Sequence, residues 1–160
     1  MATDERFLKE LEFQLNGGNA HAKFDDVLDG LAPNLRGAKP DGIPYSAWQL
    51  LEHIRIAQKD ILEYCDNHSG NYQQPNWPDD YWPKEAEPPS SMAWDKSIAG
   101  YHADLKSFLK LLRDPKRDLF APFPWGTGQT LFHEAMLLVD HAAYHLGEIV
   151  ALRRILKAWK

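Results

Sequence analysis

The chain reads as all-α, folded as a four-helix bundle with a short extra helix and a long loop rich in proline and tryptophan. Three observations predict this class. Apolar residues recur every three or four positions in four long segments, serine and threonine stand where helix caps are needed, and no stretch alternates apolar and polar residues as a half-buried strand would. With 160 residues, of which 44% are hydrophobic and 12% aromatic, a single domain is expected, large enough to bury a substantial core without covalent staples.

The first helix is expected from about Thr3, its cap, through Phe7, Leu8, Leu11 and Leu15. It should end at "NGGN", where Gly17 and Gly18 supply the positive φ that closes a helix. A shorter helix over "AHAKFDDVLDGL" follows, capped by Asn19, and "APNLRGAKPDGIP" is a connection carrying three prolines. "SAWQLLEHIRIAQKDILEYC" opens with Ser46 and Gln49 at capping-box spacing and buries Leu50, Ile54, Ala57, Ile61 and Tyr64.

Next comes an excursion, Asn71 to Pro89, whose Trp77, Tyr81 and Trp82 have too much apolar area to remain in water; it should fold over the body. Ser90 or Ser91 is expected to cap the helix "MAWDKSIAGYHADLKSFLKLL". A second proline-rich loop, "LFAPFPWGTGQ", leads into a last helix that starts near Thr130 and continues to the end of the chain. Its apolar sector, from Leu131 and Phe132 through Leu138, Ala142, Leu146 and Ile149, is too wide for a surface helix, which places it centrally. The long connections leave the helix order open.

Charge and cysteine content exclude several classes. A formal net charge of -5 argues against a phosphate-binding surface, so no nucleic-acid partner is expected. The terminal "RRILKAWK" is read as cations at the negative end of a helix. "AMLLV" is too short a run to span a bilayer, the start is charged where a secretory signal would be apolar, and the lone Cys65 excludes an internal disulfide; a cytoplasmic protein without a membrane partner is expected.

The candidate chemistry lies in "DHAAYHLGEI". His141 and His145 stand one helical turn apart, so their rings project the same way. His53, beside Leu50 and Ala57, lies near an apolar stripe of another helix. Spacing leaves two readings open: three imidazoles converging on a divalent ion such as zinc, nickel or iron, or semi-buried histidines hydrogen-bonded to separate neighbours. His21, His68 and His102 sit in polar surroundings without a partner at ligand spacing, and His133 is turned away from the 141/145 pair. Known catalytic motifs fail: a HExxH protease needs Glu where Ala142 stands, and "HEAML" has Leu137 in place of the second histidine. The paired Glu-x-x-His of a di-iron bundle, a GxSxG elbow and a phosphate-binding glycine loop are likewise missing.

"PYSAWQLLEHIRIAQKDILEY", followed far downstream by "TLFHEAMLLVDHAAYHLGEIVALRRILKAW", resembles the DinB-like superfamily, also called DinB/YfiT, over most of the chain. The resemblance implies a bundle of four main helices in which one histidine of the second long helix joins an HxxxH pair on the last to hold a divalent metal, often zinc or nickel. His53, His141 and His145 occupy those positions. It also implies possible activities: some members are S-transferases that join a small thiol to an electrophile, and others resemble metal-dependent hydrolases or isomerases. Two departures stand out. Many relatives carry a basic or histidine residue and then Gly-Gln after the last ligand, where this chain has Leu146, Gly147 and Glu148, and the 71–89 excursion exceeds the minimal pattern.

Three neutral histidines would leave the full charge of the ion to activate a thiol or water at an open position. Glu134, Asp60 and Glu148 fall near the ligand faces as candidate assistants, and Glu148 could orient a ring. The rival reading is a metal-stabilised bundle without turnover, a homodimeric binding or interaction module whose site a fourth protein ligand would close.

Overall fold

The computed structural model describes residues 4–159. Five α-helices form, α1 Glu5–Leu15, α2 Phe24–Leu28, α3 Ala47–Cys65, α4 Ala93–Leu112 and α5 Leu131–Ile155, with single 3₁₀ turns at Pro33–Leu35 and Asp79–Tyr81 and no strand among the described residues. The all-α class expected from the periodicity is what the chain adopts.

The caps explain most of the boundaries. Ser46 accepts from the Gln49 amide while the Gln49 side chain accepts from the Ser46 amide, so the predicted capping box opens α3. Thr130 accepts from the His133 amide and opens α5. Thr3 lies outside the described residues; α1 is capped by Asp4, which accepts from the Arg6 amide. Ser90 and Ser91 do not cap α4. The Ser90 carbonyl closes a turn onto the Ala93 amide at 3.1 Å, and Met92 occupies the cap position without a side-chain bond.

Two expected helices are shorter than their patterns. In α2 only Phe24 to Leu28 is helical, and its cap is Lys23 rather than Asn19. Those five residues hold Phe24, Val27 and Leu28, which are buried, while Leu31 is buried from the turn beyond them and Ala20 to Lys23 offers only the partly buried Ala22, so nothing rewards extending so short a helix. α5 stops at Ile155, where Lys157 takes a positive φ of 56° and the Ala158 amide returns to the Arg153 carbonyl at 2.8 Å. Arg153 of the terminal basic cluster is itself buried. Its guanidinium donates to the carbonyls of Val27 and Ala158 and lies 5.1 Å from the Trp159 ring, fastening the chain end to α2.

Four helices pack as a ring: α3 against α4 and α5, and α1 against α4 and α5, with α2 laid on α5. Side-chain partners give the directions. Tyr64 at the end of α3 bonds Gln129 just ahead of α5, while His53 near the start of α3 faces His141 well inside α5, so these two helices are antiparallel. Glu52 meets Ser97 and Gln58 meets Tyr101, so α3 and α4 run parallel. Phe7 packs on Phe132 near the starts of α1 and α5, and Arg113 at the end of α4 pairs with Glu5 and Glu12 of α1. A parallel α3/α4 pair requires the chain to cross back along the bundle, and the segment from 66 to 92 is that crossing.

The core runs through Leu50, Leu51, Ile54, Trp94, Phe108, Leu131, Ile149 and Leu152. The central placement expected for α5 follows from its packing on three other helices. By length and composition α5 would also suffice to cross a membrane, although no single run within it is long. In this fold α1, α2 and α3 pack on it, about a third of its most apolar stretch is buried, and Glu134, His145 and Arg153 are buried along it.

The α3 cap also anchors the crossing: Ser46 Oγ donates to the Ala86 carbonyl at 2.5 Å and Gln49 Nε2 to that of Pro83 at 3.0 Å. Ser46→Ala should lower stability to urea by about 1–2 kcal/mol through loss of the cap, and amide exchange should accelerate over residues 83–89. Unchanged exchange there would show that the cap and the crossing are independent.

Candidate metal centre

The antiparallel register of α3 and α5 brings His53 of α3 opposite the helical turn that carries His141 and His145. The three ring centroids stand 4.6 to 4.8 Å apart. Each ring offers one nitrogen within 4.8 Å of the other two, and Nε2 of His53 and Nε2 of His141 are 3.0 Å apart. Nitrogens bound tetrahedrally at about 2.0–2.1 Å from a zinc ion lie roughly 3.3 Å from one another. The His53–His141 pair stands close to that spacing, and the group as a whole could hold a metal ion. Among the described residues no fourth histidine, cysteine or carboxylate belongs to it.

Hydrogen bonds outside the cluster fix which nitrogen faces inward. His53 Nδ1 lies 3.0 Å from the Tyr81 carbonyl, which can only accept, so Nδ1 carries the proton and Nε2 presents its lone pair to the centre. His145 Nδ1 lies 2.6 Å from the Glu148 carboxylate, and the same reasoning frees its Nε2. A carboxylate or backbone carbonyl on the far nitrogen is the usual support of a metal-bound imidazole, and two of the three rings have one. Glu148 thus occupies the orienting position considered for it.

Burial keeps two of the rings, His53 and His141, neutral. His53 is about 1% exposed; desolvation, with the nearby His145, lowers its pKa to about 4 against the opposing pull of the Tyr81 carbonyl. His141 is partly buried, and desolvation followed by His145 and His53 lowers its pKa to about 3. Neutral imidazoles at pH 7 are ready ligands, since no proton has to be displaced.

The excursion supplies the roof. Trp82 stacks on His53 with centroids 3.8 Å apart and planes 7° apart, and Tyr45 stacks on the other face of Trp82 at 3.9 Å. Trp77 approaches His53 at 6.3 Å and Tyr144 approaches His145 at 4.9 Å; both are about two-thirds exposed and flank the mouth of the cluster. Sequence reasoning located this aromatic segment over the body without assigning its rings to a histidine. The only advance signal was its aromatic content.

The other candidates separate. Asp60 accepts from the hydroxyls of Tyr72 at 2.8 Å and Tyr81 at 2.6 Å, so both of its oxygens fasten the excursion to α3. Burial and the Asp60 carboxylate both hold the two phenols firmly protonated. Glu134 is buried two turns before His141, a separation of roughly 10 Å along the axis. Desolvation raises its pKa, His133 pulls it down, and Asp60 raises it further. His133 is exposed at the start of α5, and His21 and His68 are exposed elsewhere. His102, for which no partner was expected, pairs with Asp25 at 2.7 Å. Cys65 is fully buried, and burial pushes its thiol well above the ordinary range, which fits packing rather than nucleophilic work.

Comparison with known families places this arrangement. The family model described as the DinB superfamily matches residues 19–149, which include all three histidines. The chain belongs to the DinB superfamily. No curated protein and no solved structure matched it. The all-helical fold and the three-histidine group are compatible with a metal-binding member of the DinB superfamily.

The Asp60 anchor can be tested apart from any metal. Asp60→Leu removes the acceptor of two buried hydroxyls, at a cost of roughly 1–3 kcal/mol for each left unpaired. Tryptophan fluorescence should shift to the red as Trp82 leaves its stack, and exchange should rise across residues 71–82. Retention of the native emission would relieve Asp60 of its anchoring role.

Proposed function

We propose that the protein is a metal-dependent enzyme that holds zinc or nickel on His53, His141 and His145 and activates a small thiol for transfer to an electrophile. Iron is the less favoured ion. The observation that carries the reading is the cluster itself: three imidazoles from two helices, two of them oriented from behind by Tyr81 and Glu148, with no fourth ligand among the described residues. A divalent ion held there would supply a Lewis acid on whose free side a thiol or water ionises nearer neutral pH.

The surroundings favour a thiol over water. A hydrolytic step profits from a carboxylate base beside the open position. Here Asp60 is taken by Tyr72 and Tyr81, Glu148 is taken by His145, and Glu134 lies two turns away. A thiol, with an intrinsic pKa near 8.5, gives up its proton without such help. Tyr81 and Glu148 hold the rings, Trp82 excludes water from one side of His53, and Trp77 and Tyr144 offer flat apolar surfaces at the mouth for the electrophile.

The rival, a homodimeric binding module with a purely structural ion, is favoured by no particular contact. A structural site would be closed by a fourth ligand. The same reading places the protein in the cytoplasm, where small thiols are kept reduced.

The purified chain should carry about one divalent transition ion. His141→Ala should abolish binding while circular dichroism stays helical, and Glu148→Ala should weaken binding by about 10–100-fold. Elemental analysis and a competition titration with a coloured chelator check both; full retention by His141→Ala would move the site elsewhere. With a panel of small thiols and an alkylating electrophile, the loaded protein should outpace the stripped one. Equal rates would leave the ion structural.

A further inference from the structure

On a stripe of α5 other than the one bearing His141 and His145, the bundle holds a cavity of about 300 Å³. While the more exposed Gln14, Asn16, Asn19, His21 and Asp140 also line it, its inner walls are apolar: Leu15 of α1, Phe24 of α2, Leu105 of α4, and Leu138, Ala142 and Leu146 of α5. These side chains would pack together if the helices could close, yet α1 ends at Leu15 and the loop through Gly17 and Gly18, both at positive φ, swings away before α2 begins. The space is the gap this departure leaves.

Two buried residues with polar side-chain groups line it, Tyr101 and Gln58. Gln58 of α3 is about 3% exposed and borders the cavity. Its Nε2 donates to the Tyr101 carbonyl at 2.7 Å, which fixes the orientation of the amide. The amide oxygen receives no hydrogen bond from any described residue, and it is not among the side-chain atoms sealed from all open space. An acceptor that no protein group occupies is free to take a hydrogen bond from water or from a bound molecule.

We propose that this cavity is a second small-molecule site, which takes a neutral, largely apolar molecule carrying one hydroxyl or N–H that donates to Gln58 Oε1. The lining sets the class. Apolar inner walls reward a flat or branched hydrocarbon body, and the Gln58 amide oxygen offers its polar end an acceptor at the buried side. Asp140, which also borders the space, disfavours an anion, and the cavity contains no lysine or arginine to neutralise one. The site stands independently of the metal reading, because none of its lining residues belongs to the histidine cluster.

Benzyl alcohol and toluene test this on the full chain, since they match in shape and differ by the donor. In methyl and side-chain amide NMR titrations, benzyl alcohol should shift the Leu15, Leu105 and Leu138 methyls and the Gln58 amide saturably, with toluene binding about tenfold more weakly. Gln58→Met keeps the volume and should remove most of that tenfold preference, while Leu105→Phe should fill the space and weaken both ligands. The same spectra report whether each variant is folded; should Gln58→Met fail to fold, the alcohol-to-toluene ratio on the unaltered chain still decides. Equal affinities, no saturable shift at these methyls, or shifts gathered around His53 and His145 would overturn the proposal.

Discussion

The hydrogen bond from His53 to the Tyr81 carbonyl is the contact on which the candidate centre depends. It joins α3 to the crossing segment, sets the tautomer of the ring, and sits beneath the Trp82 stack. A single backbone acceptor therefore does three things: it aims Nε2 at the partner histidines, keeps water off one side, and fastens a long loop that has no regular structure beyond one turn of 3₁₀ helix. Asp60 supports it from below by holding the Tyr81 hydroxyl. The loop is part of the site because the same residue contributes its carbonyl to a ligand and its side chain to an anchor.

The topology makes this economy possible. The parallel pairing of α3 and α4 obliges the chain to travel the length of the bundle between them, and the path lies over the α3/α5 seam where the histidines meet. A tight hairpin would have left that seam bare. Burial then sets the protonation state: desolvated rings stay neutral, which suits nitrogen ligands, whereas the same depth would penalise any uncompensated charge. Glu134 shows the cost in its raised pKa.

The candidate ligands were recognisable before any fold was known, and of their three candidate assistants only Glu148 took up the role considered for it. Glu148 proved to be in reach of His145 because residues three apart on a helix are neighbours whatever surrounds them. Asp60 fell on the correct face by the same arithmetic, but its oxygens are engaged by tyrosines from a loop that no helical wheel contains. A wheel gives the angle at which a side chain leaves its helix and says nothing of what has already occupied the space.

The sequence by itself determined the all-helical class, the capping box of α3, the Thr130 start of α5 and the shared direction of His141 and His145, all of which arise within a few residues of chain. The caps of α1 and α4, the length of α2 and the close of α5 departed from it, because short-range preferences of about 1 kcal/mol yield to what packing rewards. Only the tertiary structure decided the helix order, the meeting of His53 with His141, the Trp82 roof and the space beside Gln58. Each of these joins positions far apart along the chain, and such encounters depend on how whole helices pack, a property to which every buried residue contributes and no local pattern encodes.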